Sequence, residues 1–464
     1  MKRVSNLLIM LLIGASVLTS CDKPDELNPV QPAVEDEQFS QLVSDDVTGV
    51  SLSIPSDWHV KPDPVLFEKK YGFFLYAINT EQEVAESGHP EDPIAHVSMH
   101  YKAELNQLEA LVNEKMQQYR DFNPTKKEIL LGNGHKGVVI AGLPGTKPYS
   151  VVFTASGKNI YELGFWSETA GLDERADIIL ENIRLETPAR SVASLELRPA
   201  AEALFKTPPA EVKVRNEIAV AERKALAMRA VEAGELRVGP YEVREKPELA
   251  RQNSCGFTAP STLYWQLQWD GTNTFYSGSW YSMRNKPGWS AMSGNYGSWW
   301  GENYHVGLCY TDRLNQYYTN DWPIYYWENA YAAFSGYVEW AAWGTDGFAS
   351  LGRYVVVRNG KYRSLTAHLS GINVSSGQWI DAYWDVIGWG GDTGEYYANA
   401  DWAPHLHAGV NWGASLTYNG QPYGGQSVKP RRLRCFSCNN YDVAASSGSG
   451  GYYNEFWHGR WMKY

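Results

Sequence analysis

The sequence predicts a multidomain protein: an N-terminal α/β domain, a helical spacer and a mainly antiparallel β domain at the C-terminal end. Three observations predict this arrangement. The chain has 464 residues, 44% of them hydrophobic, which is more than one core usually holds. Strand-like alternation mixes with helical spacing between residues 47 and 187, and a run rich in Ala, Glu, Arg and Val follows. From residue 253 onward Gly, Trp and Tyr are dense, which is typical of short strands joined by turns.

Residues 1–20 are predicted to be an export signal. Lys2 and Arg3 precede an apolar stretch that is too short to span a membrane. The stretch ends in "LTSC", which resembles the lipobox of bacterial lipoproteins and implies that a lipid is attached to Cys21. An ordinary secretory signal with an incidental cysteine is the alternative. The lipobox reading implies a cell-envelope protein held at the membrane by lipid, on the periplasmic or extracellular face.

Residues 21–46 are acidic and contain prolines, so they are predicted to be a flexible tether. Residues 47–187 then read as one domain. "GVSLSIPSDWHV" and "PIAHVSMHYKA" alternate like strands, "NQLEALVNEKMQQYRDF" has helical spacing, and "DERADIILENIRLE" is predicted to close the domain as a helix. This order resembles the PsbP-like domains of exported lipoproteins, which implies an α+β sandwich. The histidines of this segment show no ligand spacing and are interpreted as surface or core polar groups.

Residues 188–252 are predicted to be a linker that contains one charged helix. The helix lies in "EVKVRNEIAVAERKALAMRAVEAG" and ends at Gly234, a residue that commonly stops helices. A spacer and an amphipathic helix docked on one of the domains are both compatible with this pattern.

The net charge limits the possible partners, and the cysteines limit the possible disulfides. A net charge of −11 argues against a nucleic-acid backbone as partner, because no basic stripe offsets it. The chain has five cysteines. Without Cys21 the remaining ones are Cys255, Cys309, Cys435 and Cys438, which an exported domain could join in two disulfides whose pairing the sequence leaves open.

Two histidines stand one residue apart in "APHLHAGV". Strand side chains alternate between faces, so His405 and His407 lie on one face and Leu406 on the other. Two imidazoles on one surface suit a metal ion, although a simple polar pair has the same pattern.

Four segments within residues 300–413 decide between these interpretations. They are "ENYHVGL", "AYAAFSGYV", "YRSLTAHLSGINVSSGQWIDAYWDVIGWGGDTG" and "APHLHAGV". In this order they resemble the lysostaphin-type, LytM-like zinc metalloendopeptidases that cut peptidoglycan cross-bridges. The resemblance implies a β-rich peptidase domain over residues 253–464 that hydrolyses peptide bonds in peptidoglycan.

The resemblance also implies roles for individual residues. His305 and His407 correspond to zinc ligands, and His368 and His405 correspond to catalytic histidines beside the metal. Zn²⁺ is then the cofactor, and no organic cofactor is needed. A catalytic zinc keeps three protein ligands and leaves one position open, which agrees with this division of the histidines.

The third ligand is where the sequence departs from the family. Most members carry an Asp four residues after the first His, and here that position is Cys309. Asp312 and Asp321 are the nearby carboxylates. The interval before "AYAAFSGYV" and the following aromatic residue favour Asp321, so His305, Asp321 and His407 are the predicted ligand set. Cys309 and Asp312 remain alternatives.

Two other classes of function compete with an enzyme. A catalytically degenerate peptidase domain would serve as a scaffold that binds cell wall or activates another wall hydrolase. A carbohydrate-binding module would explain the 14% aromatic residues, but it leaves the ordered histidines unexplained.

Overall fold

The structure is a computed structural model. It describes the following residues: 41–60, 67–68, 73–80, 93–100, 105–132, 134–167, 171–188, 208–233, 319–324, 326–360, 362–395, 397 and 404–412, with short strands elsewhere between 251 and 444. In this part of the chain, each helix is too short or too polar to cross a lipid bilayer.

The described residues form one compact unit. Its N-terminal part, residues 41–188, which we call the N-terminal domain, is built on antiparallel strands. In chain order β1 to β11 are Gln41–Asp45, Val50–Ile54, Trp58–His59, Phe67–Glu68, Phe73–Thr80, Ala95–His100, Thr125–Leu130, Lys136–Leu143, Tyr149–Ser156, Asn159–Trp166 and Ile183–Leu185. The larger sheet has the order β3-β5-β6-β10-β9-β8-β7, with β4 on β5, and the smaller has the order β1-β2-β11. Every described pair in both sheets is antiparallel, so the domain is of the α+β type.

The central strands of the larger sheet are buried on both faces. On β9, Val152 joins the core beneath the smaller sheet, whereas Val151 and Phe153 join the core beneath a helix. This helix, α1, spans Leu108–Gln118. Burial on both faces explains the unbroken apolar run from Val151 to Phe153 on β9.

Helix α2 spans Glu174–Asn182, close to its predicted position. The Asp173 carboxylate accepts hydrogen bonds from the backbone N–H groups of Arg175 and Ala176, which caps the first turn. The tether prediction needs one correction, because strand β1 already begins at Gln41 and pairs with β2. Its five residues alternate in burial and Val43 packs on the core, which a composition-based boundary could not show.

Helix α3, Ala210–Glu232, confirms the predicted linker helix, and it docks on the C-terminal domain. Asn216 Nδ2 donates to the carbonyl of Trp327 at 2.6 Å. Arg223 Nε donates to the carbonyl of Tyr383 at 2.6 Å, and its guanidinium carbon lies 3.8 Å from the centre of the Tyr331 ring. The buried polar face of this helix therefore belongs to an interface and not to a free spacer.

The C-terminal domain is mainly antiparallel, as predicted. Strands β12 to β28 are Arg251–Gln252, Thr258–Ala259, Leu263–Gln266, Thr319–Pro323, Asn329–Ala330, Gly336–Trp343, Arg353–Asn359, Tyr362–Ala367, Gly371–Ile372, Trp379–Ile380, Gly388–Trp389, His405–Trp412, Leu416–Tyr418, Gln421–Tyr423, Gln426–Ser427, Pro430–Cys435 and Tyr441–Ala444. The main sheet has the order β15-β23-β19-β18-β17-β21, with β26 on β23. A smaller sheet, β16-β22-β20, carries the segments that lead into the loop at residues 390–394.

Candidate active site

The strand that carries the histidine pair, β23, lies inside the main sheet between β15 and β19. His405 is 1% exposed and His407 is 3% exposed, and Leu406 between them is also buried. Because strand residues alternate between faces, both imidazoles lie on one face of the sheet, as the sequence predicts. Two buried histidines on one face need polar partners.

His368 supplies the third imidazole. It follows the last residue of β19, and its ring centre lies 4.7 Å from that of His405 and 5.6 Å from that of His407. The three side chains are all buried. The structure therefore brings together three of the histidines that the sequence singles out, from two strands that are neighbours in the sheet.

The backbone of His368 is in the left-handed region, with φ of 62°. Histidine adopts this conformation more often than most other non-glycine residues do. The conformation costs energy, so it persists only where neighbouring groups hold it. Its backbone N–H donates to the carbonyl of Leu351 at 3.1 Å. Its ring Nδ1 lies 2.9 Å from the carbonyl of Thr393.

The contact with Thr393 fixes the tautomer of His368. A carbonyl oxygen accepts hydrogen bonds and cannot donate them, so Nδ1 must carry the proton. In the neutral ring Nε2 is then the basic nitrogen. A histidine held in this way is prepared to accept a proton through Nε2.

A buried polar network holds the loop that contains Thr393. Thr393 Oγ1 donates to the carbonyl of Leu369 at 2.9 Å and accepts from the backbone N–H of Arg353 at 3.0 Å. Ser370 Oγ donates to the carbonyl of Gly390 at 2.5 Å, and the N–H of His405 donates to the carbonyl of Gly391 at 3.0 Å. One network therefore supports His368 and His405 together.

Gly352 packs against the carbonyl that orients His368. A Cβ added at Gly352, where φ is 60°, would lie 2.1 Å from the Thr393 carbonyl oxygen. Gly360 has nearly the same φ, 58°, and open space around it, so it is a matched control. We expect Gly360→Ala to cost about 1–2 kcal/mol of stability from backbone strain. Gly352→Ala should cost about 1–3 kcal/mol more, from the added crowding and from its ψ of −135°, which at this φ is unfavourable for any residue but glycine.

Chemical denaturation of both glycine variants, with the wall hydrolysis that the sequence predicts measured on the same samples, checks this expectation. Gly352→Ala should also lose this predicted hydrolysis, because Thr393 must move away from the new side chain. Equal losses of stability in the two variants would show that the contact with Thr393 is unimportant.

Asp321 lies on β15, at the edge of the main sheet. Its Cα is the register partner of His407, and Pro323 is the partner of His405. Directly paired residues of antiparallel strands have Cα atoms about 4.5–5.5 Å apart and lie on the same face of the sheet. The residue that the sequence favours as third ligand is therefore paired with His407 in the sheet.

The remaining predicted site residues lie outside the described residues. These are His305, Cys309 and Asp312, and the same holds for Cys21, Cys255 and Cys438. Cys435 lies on β27, a strand whose side chains are not described. The ligand role of His305 and the disulfide pairing stay predictions.

Within the described residues, no group of three or more His, Cys, Asp or Glu is arranged to hold a metal ion. Two members of the predicted ligand set, His305 and the side chain of Asp321, are not among the described parts of the chain.

Sequence reasoning missed the residues that hold the histidines. Leu351 and Thr393 act through their carbonyl groups, which every residue carries, so no residue type marks them. Tyr326 is exposed, and its hydroxyl donates to the carboxylate of Asp392, the residue before Thr393. The segment "GGDTG" contained the only available signal, because consecutive glycines mark a loop.

Several solved structures are similar to part of the chain. The catalytic domain of lysostaphin from Staphylococcus simulans is 26% identical, and the match covers 24% of this chain and 77% of that one, with a TM-score of 0.19. The catalytic domain of the M23 protein EnpA from Enterococcus faecalis is 21% identical over 24% of this chain and 72% of that one, with a TM-score of 0.19. A zinc-containing peptidase from Vibrio cholerae is 22% identical over 22% of this chain and 27% of that one, with a TM-score of 0.16.

No curated protein sequence matches the chain significantly. The family profile described as peptidase family M23 matches residues 320–424. This range includes Asp321, His368, His405 and His407, and it begins after His305. It does not extend to the N-terminal domain, whose likeness to PsbP-like domains stays a prediction. Residues 320–424 are a domain of peptidase family M23, the lysostaphin-type family that the ordered histidine segments predict.

Proposed function

We propose that the protein is a zinc-dependent endopeptidase that hydrolyses peptide bonds in peptidoglycan. The observation that carries this proposal is the convergence of the His368, His405 and His407 rings in a buried site of the M23 domain. Members of this family are typically zinc peptidoglycan hydrolases. Peptides of the cell wall are therefore the proposed substrates.

The donors present at the site suit zinc. His407 offers a ring nitrogen, and Asp321 at the paired position offers a carboxylate. Imidazole nitrogen and carboxylate oxygen are common zinc ligands in catalytic sites, and His305 would complete the set. When bound, zinc would supply Lewis-acid activation of water and of the scissile carbonyl.

The remaining histidines are proposed to handle protons and developing charge. His368 directs its Nδ1 proton to the Thr393 carbonyl and so keeps Nε2 as the basic nitrogen. His405 lies beside it on the strand face that also carries His407. Together they would accept a proton from the attacking water, pass it to the leaving amine and stabilise the oxyanion. Burial of all three rings strengthens these interactions, because the site has a low local dielectric constant.

The test uses the purified protein with intact peptidoglycan. Hydrolysis of peptide bonds should release new amino groups without new reducing sugar ends, should stop after chelation, and should return with added zinc. Binding to the wall without release of amines would contradict the proposal and would favour the scaffold alternative. Release of reducing ends would instead indicate attack on the glycan.

We further propose that the protein is exported and anchored through a lipid on Cys21, because "LTSC" directly follows the apolar run. Mass spectrometry of the mature protein is expected to show Cys21 as the first residue, with a lipid attached. An unmodified terminus at another residue would rule this out.

A further inference from the structure

The N-terminal domain contacts one particular turn of the peptidase domain, which we call the clamped turn. It comprises residues 344–352 and joins β17 to β18. The carbonyl of Gly347 in this turn accepts from the Thr146 N–H at 2.9 Å, from Thr146 Oγ1 at 3.0 Å and from Trp166 Nε1 at 2.9 Å. All three donors belong to the N-terminal domain, so one backbone atom of the peptidase domain is held from several directions.

The two backbones also approach each other closely at this point. Gly145 and Gly347 form a parallel bridge. A Cβ added at Gly347 would lie 2.6 Å from the Cα of Gly145 and 2.6 Å from the carbonyl oxygen of Pro144. An approach this close leaves no room for a side chain at Gly347. The two backbones are therefore in direct contact.

A charged contact stands beside the glycines. Lys115 Nζ donates to Asp346 Oδ1 at 2.7 Å, and the Tyr119 hydroxyl donates to Asp346 Oδ2. The side chains of Lys115 and Asp346 are each 13% exposed, and Tyr119 is buried. Asp346 has a φ of 50°, a conformation that costs energy in a non-glycine residue. The carboxylate at this position therefore has two partners from the other domain that hold a strained backbone in place.

The clamped turn is hydrogen-bonded to the backbone of His368. The N–H of Ala349 donates to the carbonyl of Asp346 at 3.0 Å, and the carbonyl of Leu351, at the end of the same turn, accepts from the N–H of His368. Leu351 also packs in a cluster with Ala367, the residue before His368, and Phe122 of the N-terminal domain packs against that cluster. Contacts of the N-terminal domain thus reach the backbone of a site histidine through one short segment.

We propose that the N-terminal domain is a working part of the active site and that Asp346 is a positioning residue for His368. Lys115 and Tyr119 hold Asp346, Asp346 fixes the clamped turn, and the turn holds His368 in its left-handed conformation. The catalytic part of this inference rests on the proposed function, whereas the positioning of His368 stands on the contacts alone.

The test compares variants of the full chain. Lys115→Met with Tyr119→Phe removes both partners of Asp346 and leaves the peptidase domain unaltered. Arg120→Gln is the matched control, since Arg120 follows Tyr119 in the chain and its side chain is 67% exposed. Asp346→Gly removes the carboxylate and keeps a residue that tolerates positive φ.

Two readouts are measured. The first is hydrogen exchange of the His368 amide, which is expected to become about tenfold faster in the Lys115/Tyr119 double variant and in Asp346→Gly. The second is wall hydrolysis, in which kcat is expected to fall about tenfold while KM and zinc content stay near the wild-type values. Arg120→Gln should change neither readout. Adding the Lys115/Tyr119 substitutions to Asp346→Gly should cause little further change, because all act through one contact.

The proposal is overturned if the His368 amide exchanges in the double variant as it does in Arg120→Gln. It is also overturned if kcat rises, which would make the N-terminal domain an inhibitor, or if the effects of the two sets of substitutions add in full. A wild-type protein that hydrolyses no wall peptide would contradict the proposed function alone, because the exchange measurement does not depend on turnover.

Discussion

Replacement of His407 by alanine is expected to remove the bound zinc and abolish hydrolysis of wall peptides. His407 is buried on a central strand, next to Asp321 on one side and Ala367 on the other. A zinc site with three protein ligands that loses one of them keeps only two, which is fewer than a catalytic zinc site needs. Loss of metal and loss of activity should therefore occur together.

His405→Ala is the informative comparison, because it removes an imidazole from the same strand face without removing a proposed ligand. This variant should retain about one zinc per chain while hydrolysis falls about 10²–10⁴-fold, the usual contribution of acid–base catalysis. The exposed His59 of the N-terminal domain provides a further control, and His59→Ala should change neither quantity. Zinc content is measured by metal analysis after equal loading. Full occupancy in His407→Ala would show that the ligand assignment is wrong.

Periodicity predicted much of this fold because it reports burial. The predicted linker helix in residues 211–234 is confirmed as Ala210–Glu232, and the strand in "APHLHAGV" is confirmed as part of His405–Trp412. The placement of His405 and His407 on one face also follows from the alternation of strand residues. The order of the histidine segments then predicted the peptidase family, which the match confirms for residues 320–424. The predicted bounds of the domain, 253–464, stay a prediction.

Contacts between distant segments could not be predicted in this way. The docking of the linker helix depends on Arg223 and Asn216, whose side chains each donate to a backbone carbonyl. The backbone carbonyl of Asn216 also accepts from the side chain of Asn329. Charged and polar residues usually mark the solvated face of a helix, so the sequence could not separate a spacer from a docked helix. The positioning of His368 could not be predicted for a similar reason. It depends on the carbonyls of Leu351 and Thr393, and a carbonyl is present in every residue type.

Asp321 is expected to be the third zinc ligand. The charge of the site supports a carboxylate there. One carboxylate with two neutral imidazoles leaves a net positive zinc, which acidifies water more strongly than a zinc bound by an electron-rich thiolate. Cys309 is instead expected to form a disulfide, because an exported chain with an even number of remaining cysteines tends to pair them.

The register of the sheet supports the same choice. Asp321 is directly paired with His407, so the two residues lie together on one face of two hydrogen-bonded strands. Asn320, one residue earlier, is paired with Ala408 and lies on the opposite face. A rigid pair of strands holds two ligands more accurately than a loop does. The segment between His305 and Asp321 can then vary in length without changing the positions of the metal ligands.

The decisive comparison loads five variants with zinc under identical conditions: Asp321→Ala, Asp321→Asn, Asn320→Ala, Asp312→Ala and Cys309→Ser. Both Asp321 variants are expected to lose most of the metal and all detectable hydrolysis, and Asp321→Asn should do so with little loss of stability because it preserves the size of the side chain. Asn320→Ala should retain both, since it alters the same strand on its other face. If Asp321→Ala still binds zinc stoichiometrically while Asp312→Ala or Cys309→Ser does not, the third ligand is that other residue and the pairing of Asp321 with His407 has only a structural role.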